Sequence, residues 1–345
     1  VGLRAYILKR ALNTIILVLF VIVINFLIFE LLPGTSGAIA NLVSTGKITN
    51  HATVNALLIK DGFCSGFTAQ GQCIPTNVWD QFTSYFRNML TFQFGVSYQP
   101  PNQSIFDEMI SSGRLLNTLM LLGASTALSL VIGIFLGVYA AAKRGSLFDS
   151  GWVTASLVTF SLPTFFMGLL FILIFTQTLH WFPSGGVVPS NWTIPGQTPS
   201  LIGQIIPRLQ HLFLPVFTLT LFFYGGHLLL TRATMLESLS EDYIVTARAK
   251  GLSERAVLFK HALKNASLPI VTNAALSFGF ILSGAIITET IFNWNGLGFW
   301  LFQSINFKDY PVMQAMFYII ALCVIAANFI ADVIYGVLDP RIKYQ

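Results

Sequence analysis

The chain is a succession of long apolar runs separated by polar segments. Six of these runs are long enough to cross about 30 Å of hydrocarbon at about 1.5 Å per residue. They cover roughly residues 7–32, 116–142, 152–179, 212–230, 270–288 and 312–338. Uninterrupted apolar stretches of this length read as helices. The pattern therefore predicts an all-α integral membrane protein with about six transmembrane helices. The first run, "ILKRALNTIILVLFVIVINFLIFELL", exceeds a signal-peptide core and closes on no small-x-small pair, so it reads as a retained span.

Composition agrees with that class. Hydrophobic residues make up 54% and charged residues 10% of the chain, and mean hydropathy is +0.71. A soluble domain carries about 25% charged residues, more than this chain has to cover a wetted surface. The net charge of +5 does not point to nucleic acid, because the basic residues sit in short segments flanking apolar runs. Anionic lipid and membrane orientation account for that placement. Arg4, Lys9 and Arg10 lie at the start, Lys143 and Arg144 follow the second run, and Arg341 and Lys343 follow the sixth. Arg232, Arg248, Lys250, Arg255, Lys260 and Lys264 lie between the fourth and fifth runs. The segments 181–211 and 291–311 carry Arg208 and Lys308 alone. The positive-inside rule then predicts that both termini are cytoplasmic.

This organisation divides the chain into an N-terminal tail with the first span (1–32), an extracytoplasmic insertion (33–115), a core of five spans (116–338) and a cytoplasmic tail (339–345). Within the core lies a cytoplasmic loop at 231–268. In the insertion, Trp79, Phe82, Tyr85 and Phe86 share one face of a predicted short helix. Cys64 and Cys73 flank a Gly-containing turn, "CSGFTAQGQC", on the oxidising side. A short-loop disulfide and a pair of separate thiols are the two readings there. Cys323, inside the sixth run, reads as a small packing residue. The segment "WFPSGGVVPSNWTIPGQTPS" reads as a loop, and its Asn191 sequon matters in a host that glycosylates exported protein.

Signatures of catalysis are missing from the sequence. "TGKIT" around Lys47 lacks the glycine spacing of a phosphate loop, and no HExxH, CxxC or GxSxG occurs. His227 reads as a hydrogen-bonded bundle residue or, as the alternative, a metal ligand. Gly133 and Gly137 form a GxxxG that reads as close helix packing or as part of a permeation path. Trp181, Trp192, Trp294 and Trp300 read as interface anchors or as platforms for a sugar ring. The acidic residues near the ends of runs are Glu30, Glu289 and Asp332. A buried carboxylate is costly unless partnered. Glu289 therefore either accepts bonds from the following turn, Asn293–Gly298, or faces a translocation cavity and helps hold a gate.

"TARAKGLSERAVLFKHALKNASLP" at 246–269 stands out as a basic, amphipathic segment in this apolar chain. A helix over about Tyr243–Lys250 can end at Gly251 in the left-handed conformation. Ser253 can cap a second helix to about Asn265, and Pro269 suits the first turn of the fifth span. Tyr243, Ile244 and Ala247 would offer an apolar face, with Arg248, Lys250, Arg255 and Lys260 as a basic rim. Helix-in-groove docking onto a cytoplasmic partner and adhesion to anionic lipid are the two physical readings.

"EDYIVTARAKGLSERAVLFKHALKNASLPIVT" resembles the cytoplasmic signature loop of binding-protein-dependent ABC importer permeases of the peptide and nickel group. Ala247, Gly251 and Leu268-Pro269 match that signature, while Val245 and Thr246 occupy the first two places of its usual Glu-Ala-Ala triplet. "LLPG" at 31–34, "ETIFNWNGLG" at 289–298 and "DPRI" at 339–342 match further; Thr35-Ser36 replaces the acidic residue usual after that first proline-glycine. The resemblance implies a type I ABC importer permease, the subunit with the long first outer loop. It implies a second homologous permease, two ATP-binding subunits that hold ATP and Mg, and an extracytoplasmic solute-binding protein. The implied mechanism is ATP-driven alternating access, with no catalytic residues or cofactor in this chain. Tyr243, Ala247, Arg248, Lys250, Gly251 and Leu252 would then couple to an ATPase. Peptides are the expected solute, with oligosaccharides and nickel as alternatives within the same architecture. From a different class, an ion-coupled carrier or channel would need an intramembrane charge pair or ion-binding broken helices.

Overall fold

A computed structural model of the chain describes residues 3–31, 55, 59, 64–68, 73–98, 101–193 and 199–338, with the side chains of 275–284 outside that description. The expectations placed on Lys47, on Thr35-Ser36 and on the tail 339–345 lie outside the described residues, as do the side chains of Arg4, Glu30 and Cys73. Helices dominate: α1 (Leu3–Phe26, continued by a π-helical turn Leu27–Leu31), α2 (Val78–Leu90), α3 (Ile105–Ser111), α4 (Arg114–Ala142), α5 (Leu147–Ser161) and α6 (Thr164–Phe171, continued by Ile172–Thr178). They are followed by α7 (Leu201–Leu239), α8 (Asp242–Ala249), α9 (Glu254–Ala256), α10 (Leu263–Ile291), α11 (Leu297–Phe307) and α12 (Tyr310–Leu338). Two antiparallel hairpins, β1 (Cys64–Phe67) with β2 (Cys73–Pro75) and β3 (Val96–Tyr98) with β4 (Pro101–Ser104), lie in the segment predicted as an insertion.

Four helices among the described residues are long and apolar enough to cross a membrane, and a bent pair, α5 with α6, makes a fifth. α10 occupies the position predicted for another span. The third apolar run is not one straight helix: its halves meet at 99°. Pro163 is the cause. Its ring disfavours helical geometry at the residue before it, and Leu162 is extended at φ −82°, ψ 131°. The fourth predicted span begins too late. α7 starts at Leu201 and runs for 39 residues with Pro207 and Pro215 inside it. Proline lacks a donor for the i−4 carbonyl, but surrounding turns can keep such a helix continuous.

The chain forms two compact units, Val1–Leu12 with Asn117–Asn295 and Ala326–Gln345, and Asn13–Leu116 with Gly296–Ile325. In the first unit α7 packs against α10, α5 and α6. α4 joins α7 through Gly133 and Gly137. A Cβ on Gly133 would stand 2.5 Å from the His227 Cβ and 2.8 Å from the Tyr224 carbonyl oxygen. One on Gly137 would stand 2.6 Å from the Thr231 Cβ. The GxxxG is therefore a packing seam, in which absent side chains let two backbones approach.

In the second unit, α2 presents the predicted aromatic face. Its N-cap is Asn77, whose side chain accepts from the Trp79 N–H. Phe26 of α1 meets Phe82 and Tyr85 at ring-centroid distances of 5.2 and 5.5 Å, while Trp79 stays exposed. Asn25 donates to the Gln314 carbonyl over 3.0 Å, tying α1 to α12. Ser97 of β3 donates to Asp309 Oδ2 over 2.7 Å.

Candidate functional site

The segment singled out in the sequence forms a small knob in the first unit. α8 ends in a Schellman turn. The Leu252 N–H reaches the Ala247 carbonyl at 3.4 Å and the Gly251 N–H reaches the Arg248 carbonyl at 2.9 Å. This closure requires a left-handed residue past the helix end, and Gly251 supplies it at φ +74°. Ser253 then caps α9, its hydroxyl accepting from the Ala256 N–H. The helix does not end near Asn265. It passes through a π-helical stretch, Val257–Ala262, straight into α10, and Pro269 lies inside α10 rather than in its first turn. A wide π turn can absorb the change of direction from α9 to α10 within one continuous helix.

The knob faces differently from the sequence expectation. Ile244 and Ala247, read as an outward apolar face, are 0% and 5% exposed. They pack with Val138 and Ala141 of α4, Met235 of α7, and Val257, Leu258, Ala262 and Ala266. Burying a branched side chain outweighs exposing it by about 1.5–3 kcal/mol, so this face anchors the knob to its own chain. The Tyr243 hydroxyl shares a hydrogen bond with Ser238 at 2.6 Å, and Ser238 donates to the Ala262 carbonyl. Val245, Thr246, Arg248, Ala249, Lys250 and Leu252 remain exposed. Arg248 donates to Glu254 at 2.7 Å, bridging α8 to α9, and this bond raises the guanidinium pKa above its ordinary value. With both partners about half exposed, the pair contributes little stability.

At the junction of α4, α5 and α7 the sequence reading missed a buried ion pair. Arg232 of α7 donates to both carboxylate oxygens of Asp149, at 2.6 and 2.8 Å, and the Gly145 N–H adds a third bond. Ser146 caps α5 by accepting from the Asp149 N–H. The Ser-x-x-acid spacing "SLFD" was the available signal. Asp332, read as an acidic residue near a span end, pairs with Arg10 at 3.2 Å.

Glu289 is fully buried near the end of α10. Its carboxylate accepts from the Thr118 hydroxyl of α4 at 2.7 Å. In the turn that follows, the Trp294 N–H donates to the Glu289 carbonyl at 2.8 Å. The Trp294 indole donates to the Asn117 carbonyl, and Asn117 donates to the Asn295 carbonyl. Nearby, the Gly186 N–H donates to the Phe292 carbonyl, and a Cβ on Gly185 would fall 2.2 Å from that oxygen. Polar Asn117 and Thr118 near the start of a largely apolar helix were the sequence trace of this network.

His227, also buried, shares a hydrogen bond with Asn273 at 3.2 Å, linking α7 to α10. Among the described residues no group of three or more His, Cys, Asp or Glu could hold a metal ion. Cys64 is buried at the start of β1, and Phe67 of β1 pairs with Cys73 of β2.

Long apolar helices, a proline-broken span and an anchored polar knob define a multi-pass helical membrane protein. Residues 133–344 match the family described as binding-protein-dependent transport system inner membrane component. The chain is 36% identical over 342 residues to the oligopeptide transport system permease protein AppB of Bacillus subtilis (strain 168), covering 99% of this chain and all of that one. It is 38% identical over 277 residues to the di/tripeptide transport system permease protein DppB of Pseudomonas aeruginosa (strain UCBPP-PA14), covering 78% and 82% of the two chains. The dipeptide transport system permease protein DppB of Escherichia coli (strain K12) is 36% identical over 282 residues, covering 78% and 82%. The chain belongs to the binding-protein-dependent transport system inner membrane component family. It is an ABC importer permease subunit with the type I permease fold, embedded in the cytoplasmic membrane.

Proposed function

We propose that this subunit forms half of the membrane pathway of a peptide importer and takes its drive from ATPases docked on the α8 knob. The observation that carries the coupling role is the division of α8 into two faces. Ile244 and Ala247 are locked into the body, and Val245, Arg248 and Leu252 are presented outward. A helix fixed to its own chain on one side transmits a push on the other as a rigid displacement, which a lipid-adhering segment has no need to do. The positive-inside distribution supports a cytoplasmic position for the knob and both termini. In this reading a second, homologous permease completes the pathway and two ATP-binding subunits carry ATP and Mg. An extracytoplasmic binding protein delivers the solute, and this chain does no bond chemistry. Peptides are favoured as the solute because the relatives named above are oligopeptide, di/tripeptide and dipeptide permeases.

Reconstitution of the complex in nanodiscs tests this. ATP hydrolysis should rise on adding binding protein loaded with peptide, and stay basal with oligosaccharide or nickel. Stimulation by oligosaccharide or nickel but not by peptide overturns the solute assignment. Unaltered coupling after replacing Val245 and Leu252 together by Asp overturns the docking role.

A further inference from the structure

The turn between α4 and α5 collects basic and aromatic side chains at one end of an apolar stripe. Lys143 and Arg144 follow α4, and the Lys143 ammonium lies 5.5 Å from the centre of the Phe148 ring in α5. Trp152, one turn further along α5, sets its ring edge-on to Phe148 at 6.3 Å. Leu147 and Trp152 are exposed, as are Lys143 and Arg144. We propose that this turn binds the headgroup of an anionic phospholipid, whose acyl chains lie along the exposed face of α4. The site stands apart from the docking and import readings above.

Length, convergence and charge lead to this ligand. Leu128, Val131, Phe135 and Tyr139 recur every three or four residues along α4 and are all exposed, so they form one stripe. At about 1.5 Å per residue the stripe covers roughly 16 Å. That is close to one leaflet of a hydrocarbon core about 30 Å thick. The Lys143 N–H bonds the Tyr139 carbonyl, which puts Lys143 one turn past the stripe, at the level of a headgroup. α4 and the helix running from α9 into α10 are antiparallel. Thr118 meets Glu289 at one end, while Val138 and Ala141 share a buried cluster with Val257 and Leu258 at the other. Phe259 stands against Phe135 and Tyr139 at 5.8 and 6.0 Å. Arg255 lies one turn before Phe259, so Arg255 and Lys143 fall at the same end of this aromatic contact. The carboxylates closest in sequence are already paired, Asp149 with Arg232 and Glu254 with Arg248. Arg144 lies within electrostatic reach of Asp149, but Arg232 holds both of its oxygens. Lys143, Arg144 and Arg255 form no ion pair among the described residues. Basic groups placed between helices at the membrane surface hold anionic headgroups, and Tyr139 and Trp152 suit the same interfacial level. A docked protein would account for the basic groups but not for an apolar stripe of leaflet length leading to them. A phospholipid accounts for both.

The test places the full-length subunit with its partners in phosphatidylcholine nanodiscs and reads quenching of tryptophan fluorescence by brominated lipid. Subtracting the signal of Trp152→Phe, made in each background, isolates the part that comes from Trp152. Brominated phosphatidylglycerol should compete for this position roughly tenfold better than brominated phosphatidylcholine, because each basic group near an anionic surface favours it about fivefold. Lys143→Gln with Arg144→Gln should lower that preference by about fivefold or more. Arg255→Gln, on a different element, should lower it at least about twofold and serves if the double variant fails to assemble. Lys143→Arg, which keeps the charge, should retain it. Equal quenching by the two lipids in the wild type overturns the proposal, as does an unchanged preference in either assembled glutamine variant. A preference seen in the subunit alone but lost in the complex also overturns it and assigns the basic turn to a partner subunit.

Discussion

Arg232 grips both oxygens of Asp149 across the gap between α7 and α5, at 2.6 and 2.8 Å. The Asp149 side chain is 4% exposed and that of Arg232 26%. Breaking a buried pair from one side costs about 3–5 kcal/mol, because it strands the remaining charge. Partial exposure of Arg232 places this pair near the lower end, about 3 kcal/mol. Asp149→Ala should therefore lower the thermal transition of the solubilised subunit well beyond Asp332→Ala, which opens the more exposed pair with Arg10. Equal shifts in a fluorescence-detected melt would contradict this ranking.

Gly251 is the joint of the knob. Its φ of +74° is strained for any side chain, although a Cβ there would meet open space. The left-handed conformation costs a β-carbon residue about 1–2 kcal/mol, more for a branched one. Gly251→Val should insert and assemble normally but lose most coupling between ATP hydrolysis and transport. Gly251→Asn, better tolerated there, should retain much of it. Paired ATPase and uptake assays check both, and normal uptake by the valine variant would argue against a docking role for this turn.

For Glu289, burial and the bond from Thr118 favour a structural role. A hydrogen bond to a charged group contributes about 1.5–3 kcal/mol. Glu289→Gln keeps an acceptor and should leave an assembled complex with at least half of wild-type transport. Glu289→Ala should destabilise the subunit. If the glutamine variant assembles fully and transports nothing, the charge itself serves the pathway.

Cys64 and Cys73 sit on paired strands, and Cys323 is a free cysteine in α12. The proposed Cys64–Cys73 bridge would close a short loop, worth roughly 2–3 kcal/mol of local constraint. Thiol labelling of unreduced protein should tag Cys323 after unfolding and neither of the other two. Double labelling at 64 and 73 would rule the bridge out.

Much of the architecture was legible without coordinates. Apolar runs of helical length state themselves, because lipid leaves the backbone no other partner than itself. The same holds for Gly251, where a glycine after a helix and a capping serine two residues on define the turn locally. The site was less legible. Ile244 and Ala247 show an apolar face in the sequence, yet periodicity says that a face is buried and not against what. Asp149 lies 83 positions from Arg232, and Thr118 lies 171 from Glu289. No local pattern links such pairs.

The sequence by itself determined the class, the helices, the glycine joint and the family signature, since each rests on hydropathy or on backbone preference within a few residues. Tertiary structure alone decided which face of α8 points outward, that Pro163 bends a span while Pro207, Pro215 and Pro269 do not end theirs, and that Phe259 stands against Phe135 and Tyr139. The reason is physical. Burial, ion pairing and the tolerance of a proline depend on what packs opposite, and distant parts of the chain supply it.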